Sequence, residues 1–230
     1  MTDLKIPQHV AFIMDGNRRW ARENKLALLM GHNKGAEQIE NLVAYGADHG
    51  IKFMTFWAFS TENWNRSEEE VSLLMQVFRA ILLGPMVKRL IKNGVKLQII
   101  GDYQAFSKDI VEGLDKLIAD SEKNEKITAT IALNYGGRQE IVHAVNRILK
   151  ENPQEEVSAE KFGNYLYTVG QPDPDLIIRT GGEQRLSGYL PWQSVYSELY
   201  FTDTYWPDFN EEAFEKALIE YTHRERRFGK

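Results

Sequence analysis

No cysteine occurs in the 230 residues, which removes disulfides, thiolate nucleophiles and thiolate-bound zinc together. The five histidines are scattered, and none belongs to the paired HExxH arrangement of a zinc hydrolase. P-loop and GxGxxG fingerprints are missing, so kinase, nucleotidase and dehydrogenase readings lose their main support. Nowhere do about eighteen apolar residues run together, and Met1-Thr2-Asp3-Leu4-Lys5-Ile6-Pro7 lacks the basic and apolar blocks of a signal peptide. A cytoplasmic protein without a transmembrane segment is expected.

What is present is an ordinary globular balance, with 27% charged and 43% hydrophobic residues and enough length for one good-sized core. A net charge of −5 disfavours general nucleic-acid binding. Several arginines nevertheless fall in motif-like segments (Arg18, Arg19, Arg66, Arg179, Arg185 and Arg227). Local positive charge on a balanced chain suits a small polyanionic substrate better than a nucleic acid.

The segment from His9 to Ala21 is the most informative. Its apolar run ends in Asp15-Gly16-Asn17-Arg18-Arg19, a strand delivering its carboxyl end to an anion. Gly16 lets the backbone approach a phosphate, and the two guanidiniums offer forked donors to its oxygens. A carboxylate beside a phosphate is repulsive unless a divalent ion lies between, and Mg²⁺ is the usual ion held by one or two carboxylates plus phosphates. Alone, the Asp-Gly-Asn tripeptide reads more readily as a turn with solvated arginines.

Short apolar runs at 9–14, 53–59, 95–100, 127–133, 175–179 and near 196–201 alternate with helical patterning at roughly 33–49, 107–123, 138–151 and 158–167. That alternation predicts a single α/β domain over 1–230, with a central, mostly parallel six-stranded sheet flanked by helices. Ser67-Glu68-Glu69-Glu70 opens one helix as a capping box, and Asn210 opens another. The helix after Ser67 has little polar face before Gly84-Pro85, a pattern that usually means burial.

The thirteen-residue string from His9 resembles the first sequence block of the cis-prenyltransferases, the undecaprenyl diphosphate synthase family. Ala58-Phe59-Ser60-Thr61-Glu62-Asn63-Trp64-Asn65-Arg66 resembles the second block, Ile99-Ile100-Gly101-Asp102 the third and Asn134-Tyr135-Gly136-Gly137-Arg138 the fourth. The run from Asp175 to Ser187 is similar to the fifth, continued by Trp192-Gln193 and Glu198-Leu199-Tyr200-Phe201.

The resemblance implies an Mg²⁺-dependent enzyme that condenses isopentenyl diphosphate in cis onto an allylic diphosphate, with an apolar tunnel for the growing chain. It casts Asp15, Ser60 and Asn63 as catalytic, and Asp15 and Glu198 as metal-associated. Gly16, Asn17, Arg18 and Arg19, assisted by His32, would attend the allylic diphosphate, while Trp20 and Trp64 read as core or pocket-wall aromatics first and substrate contacts second. Ser60, Thr61, Glu62, Trp64 and Arg66 form a further substrate loop, and Arg179, Arg185 and Ser187 match the isopentenyl diphosphate site. Two arginines six apart could instead make surface ion pairs, but the intervening Thr180-Gly181-Gly182 favours close backbone approach to a ligand. Ala58, Val77, Phe78 and Ile81 would line the tunnel, where each five-carbon unit gains roughly 3–4 kcal/mol by leaving water. The ending Arg227-Phe228-Gly229 matches a family Arg-x-Gly that reaches a neighbouring subunit, which implies a homodimer with Arg227 and Gly229 in the site. Peripheral membrane contact for product release is compatible with such a product.

The trans-prenyltransferases, which carry DDxxD motifs, are excluded because no such motif occurs. A non-catalytic partner subunit is the rival from another class, and the retained Asp15, Arg19, Arg179, Arg185, Ser187 and Glu198 argue against it; a short-chain cis-prenyl diphosphate synthase is the alternative within the family. Relatives commonly place an arginine where this chain has Leu28, and Ser67 replaces a frequent proline.

Overall fold

The structure, a computed structural model, describes residues 4–82, 84–151 and 156–224. Six strands, β1 (His9–Ile13), β2 (Phe53–Trp57), β3 (Val95–Ile100), β4 (Ile127–Ala132), β5 (Leu176–Arg179) and β6 (Glu198–Phe201), form one sheet in the order β3-β4-β2-β1-β5-β6. Every pairing is parallel. Parallel strands need long crossovers, which explains the helical segments between the apolar runs.

Alternation within strands assigns their side chains to two layers. Val10, Phe12, Met54, Phe56, Leu176 and Ile178 join the larger core, while Ala11, Ile13 and Ile177 join a smaller one with Tyr135 and Tyr189. The larger side carries α2 (Leu28–Asp48), α3 (Glu68–Leu82), α4 (Pro85–Lys92), α5 (Lys108–Ser121) and α8 (Glu211–Thr222). Phe12 anchors this core, stacked on Phe56 at 5.0 Å and edge-on to Trp206 at 5.8 Å. On the other side α6 (Gly137–Glu151) buries Glu140, whose carboxylate accepts from the Tyr135 hydroxyl at 2.6 Å and from Gln193 Nε2 at 3.2 Å. Burial raises the pKa of Glu140.

Both helix starts that the sequence marks are capped by side chains. Asn210 Oδ1 accepts from the Ala213 amide at 3.0 Å, and Ser67 Oγ from the Glu70 amide at 3.3 Å. Two helices depart from the expected pattern: α1 (Asn17–Glu23), directly after Gly16, and α4, which Pro85 starts from its first position. The expected helix at 158–167 shrinks to α7 (Ala159–Gly163), followed by turns. No single helix among the described residues is long and apolar enough to cross a membrane.

Candidate active site

The chain runs from β1 toward β2 on one side of the sheet and later returns to lay β5 on the other side of β1. Ligands in such sheets bind beyond the strand carboxyl ends at this reversal. Asp15, just past β1, and Arg179, the last residue of β5, meet there. Asp15 Oδ2 accepts from Arg179 Nη2 at 3.0 Å and Oδ1 from Arg19 Nη2 at 3.1 Å. Arg179 is almost wholly buried and also donates through Nη1 to Ser187 Oγ at 2.9 Å and to the Arg185 carbonyl.

Two glycines permit this crowding. Gly16 has φ of 106°, and a Cβ there would lie 2.6 Å from the Tyr205 ring. Gly181 has φ of 84°, and its Cβ would lie 2.8 Å from Arg19 Nη2 and 3.1 Å from the Asp15 carbonyl carbon. Neither position tolerates a side chain.

The second loop forms a 3₁₀ turn, Thr61–Asn65. Asn63 Oδ1 accepts from the Ser60 amide at 3.0 Å, so the Asn63 carbonyl oxygen is spent on holding Ser60 in place. Arg66 leaves this turn toward Glu70, whose Oε1 receives Arg66 Nη1 at 2.7 Å and Arg18 Nη1 at 3.0 Å. Glu70 therefore ties α1, the Ser60 loop and α3 together. Sequence reading had used it only as part of a helix start; its four-residue spacing from Arg66 was the available signal.

His32, one turn into α2, is depressed to a pKa of about 4, chiefly by burial and then by Arg66. It stands neutral at pH 7, able to donate one hydrogen bond without adding a fixed charge.

A cavity of ≈ 540 Å³ joins these groups. Asp15, Gly16, Asn17, Arg18, Arg19, His32, Ser60, Asn63, Arg66, Arg179 and Ser187 line its polar end. Ala58, Val77, Phe78 and Ile81 line its apolar part, joined by Leu74, Val87, Leu90 and Leu97. The buried face of α3 is thus partly a cavity wall. Arg22 also contributes.

Other expected site residues lie elsewhere. Trp20, Thr61, Glu62, Trp64 and Arg185 are not in the cavity lining. Trp64 donates Nε1–H to Asn134 Oδ1 at 2.8 Å and packs edge-on to Phe59 at 5.0 Å, as a brace for the loop. Exposed Arg185 pairs with Glu183, while its backbone carbonyl supports Arg179. Glu198 starts β6 and pairs in register with Leu176, whereas Arg179 pairs with Phe201. Glu198 therefore sits at the amino edge of the sheet, opposite Asp15, with Arg224 Nη1 at 3.3 Å. One chain does not bring the two carboxylates together. Arg227 and Gly229 lie outside the described residues.

Comparison with known proteins decides the family. Residues 13–229 match the prenyltransferase family model described as "Putative undecaprenyl diphosphate synthase". The chain belongs to this family. It is a cis-prenyltransferase, 46% identical over 224 residues to an isoprenyl transferase of Fusobacterium nucleatum, covering 97% of this chain and 96% of that one. An isoprenyl transferase of Aquifex aeolicus is 44% identical over 227 residues, covering 99% and 97%. Among solved structures, lavandulyl diphosphate synthase from Lavandula x intermedia, in complex with dimethylallyl diphosphate, superposes with a TM-score of 0.93 at 33% identity, covering 98% and 99%. A "probable undecaprenyl diphosphate synthase" from Campylobacter jejuni gives a TM-score of 0.82 at 28% identity over both full chains. This prenyltransferase thus shares its entire sheet-and-helix frame with its relatives.

Proposed function

We propose that this enzyme adds isopentenyl diphosphate repeatedly, in cis, to an allylic diphosphate such as farnesyl diphosphate, and makes a long polyprenyl diphosphate of the undecaprenyl carrier type. One observation carries the reading: the cation-lined end and the apolar end of the cavity are continuous. A polyanionic head with a hydrocarbon tail is complementary to that division.

In each condensation the allylic C–O bond breaks as the new C–C bond forms, and negative charge gathers on the leaving diphosphate. Arg18, Arg19 and neutral His32 would receive that charge, Arg18 shared with Glu70 and Arg19 with Asp15, and this is where most of the barrier reduction would arise. Arg179 and Ser187 on the β5 side hold isopentenyl diphosphate, with Arg185 able to swing in from solvent. Ser60, fixed by Asn63, stands at the reacting end of the cavity; the released proton passes to diphosphate or through Ser60 and water.

The donor set fits Mg²⁺. Asp15 presents a carboxylate between guanidiniums suited to diphosphate, and Asn17 Oδ1 is buried in the same wall without a partner among the described residues. Asp15 would hold the ion, with phosphate oxygens completing its shell. Bound there, Mg²⁺ supplies Lewis-acid neutralisation of diphosphate charge.

A homodimer accords with the exposed apolar row Val142, Val145 and Leu149 on α6, beside exposed Trp192 and Val195. It would also offer a route for a neighbour's Glu198 or carboxyl end to approach the site.

The test is incubation of the purified protein alone with farnesyl diphosphate, isopentenyl diphosphate and Mg²⁺. Long cis-polyprenyl diphosphates are expected; activity only after addition of another chain would identify an accessory subunit instead.

A further inference from the structure

We infer that the ridge running from Leu26 to Met30 docks this enzyme on an anionic lipid surface and sets the cavity mouth against the bilayer. The inference rests on the polyprenyl reading above. The chain leaves α1 at Asn24, reverses through Lys25 with φ of 56°, and enters α2 at Leu28. Leu26 is 42% exposed and Met30 49%, with exposed Ala27 between them and Leu28 and Leu29 half-buried beneath. Isolated exposed apolar residues are ordinary on soluble proteins; two large ones on one five-residue ridge beside a site mouth are not.

The charges around the ridge select the partner. Arg22 and Lys25 are exposed, and among the described residues neither has a carboxylate within ion-pair distance. The adjacent acid, Glu23, accepts from the Tyr205 hydroxyl at 2.7 Å, and Lys34, one turn beyond Met30, pairs with Glu37 at 3.0 Å. Lys25, an unpaired cation bordering exposed leucine and methionine, makes the pattern of an interfacial anchor, apolar side chains entering the headgroup boundary and the cation meeting lipid phosphate, while Arg22 marks where the ridge meets the cavity rim.

Position adds an independent argument. Arg22 and His32, which bracket the ridge, both line the cavity. A product whose head is held there and whose tail avoids water needs an apolar phase within reach of this rim. Neither other apolar surface offers that. The apolar faces of α3 and α4 turn inward, with Leu74, Phe78, Val87 and Leu90 buried, and the exposed α6 row belongs to the helix on the opposite side of the sheet, whose Glu140 accepts from Tyr135.

Flotation with vesicles of phosphatidylcholine containing phosphatidylglycerol, against phosphatidylcholine alone, tests the inference with the full-length protein. The wild type is expected to prefer the anionic vesicles. Leu26→Glu combined with Met30→Glu should weaken partitioning at least about ten-fold, and Lys25→Glu at least about five-fold. Turnover of a water-soluble short allylic diphosphate by the double variant should be unchanged, because neither residue lines the cavity. If the glutamates perturb α2, Leu26→Gln with Met30→Gln repeats the measurement. Equal binding by variant and wild type overturns the inference, as does a wild type that elongates isoprenoids yet ignores both vesicles. An altered sedimentation coefficient in the double variant also overturns it, since a second copy would then be what covers the ridge. Intact, ridge-dependent vesicle binding without any elongation would sink the proposed function and leave this surface standing.

Discussion

Asp15 and Arg179 close a 3.0 Å ion pair between the ends of adjacent parallel strands, and the arginine side chain is only 6% exposed. The site carboxylate is therefore also the counter-ion of a nearly buried cation. Asp15→Ala should abolish nearly all turnover and, in addition, lower stability by about 1–3 kcal/mol, because Arg179 loses its partner while remaining buried. Asp15→Asn should lose turnover with a smaller stability change. Steady-state assays beside urea denaturation separate the two effects, and near-normal turnover in folded Asp15→Ala would falsify the assignment.

The two arginines of the fifth block should behave differently. Arg179→Ala removes contacts to Asp15, Ser187 and the Arg185 carbonyl, so both stability and the KM for isopentenyl diphosphate should suffer. Arg185→Ala, at an exposed position, should raise that KM with little change in melting temperature. Equal destabilisation by both would contradict the distinction.

Ala58 lines the cavity beside the Ser60 loop. Ala58→Leu should shorten the dominant product, read by chromatography of dephosphorylated prenols. An unchanged distribution at full activity would place position 58 away from the growing chain.

Leu28 opens α2 one turn before His32. Leu28→Arg should tighten binding of a non-hydrolysable allylic diphosphate, up to about a hundred-fold if no other cation already reaches the same oxygens. Arg22, in the cavity lining, is placed to compensate, so a smaller gain should accompany a marked loss in Arg22→Ala. Equal affinity in Leu28→Arg and wild type, with no loss in Arg22→Ala, would remove both residues from phosphate recognition.

Acid should weaken the fold through His9. Its ring is buried between the Pro172 carbonyl at Nδ1, 2.7 Å, and Thr55 Oγ1 at Nε2, 2.8 Å, and burial lowers its pKa from 6.5 to about 4. The unfolded chain takes up this proton near pH 6.5 while the folded chain resists until about 4. Stability present above pH 6.5 is thus lost as pH falls toward 4, on the order of 3 kcal/mol from this group. His9→Gln should lessen the slope of urea midpoint against pH across that window, the remainder coming from His32, which is depressed to the same range; an unaltered slope would show that His9 is not a source.

The strand pattern was legible because buried parallel strands leave short apolar runs, and all six fall within a few residues of their expected bounds. Helix α1 was hidden by its own first residues, since Asn17, Arg18 and Arg19 read as a polar turn. Helix α4 carried a usable mark in Pro85. At the site, residues placed by strand ends, such as Asp15 and Arg179, could be located from the fold rule alone. Glu198 could not, because a motif names a residue without saying which end of its strand faces the ligand. Trp64 and Arg185 lie outside the cavity lining: the Trp64 ring braces Asn134 across loops, a contact that linear spacing does not record, and Arg185 turns to Glu183 in its own loop.

The order β3-β4-β2-β1-β5-β6 has a consequence for synthesis on the ribosome. Strand β1 meets β2 some forty residues later, but its other flank stays open until β5, at Leu176–Arg179, has left the exit tunnel. For most of translation the nascent chain exposes the edge formed by His9–Ile13, all five residues of which are buried in the finished sheet. Parallel, non-local pairing of this kind is slow to form and prone to aggregation while it waits. Nascent chains truncated before β5 should bind chaperones, and chains extended past it should release them.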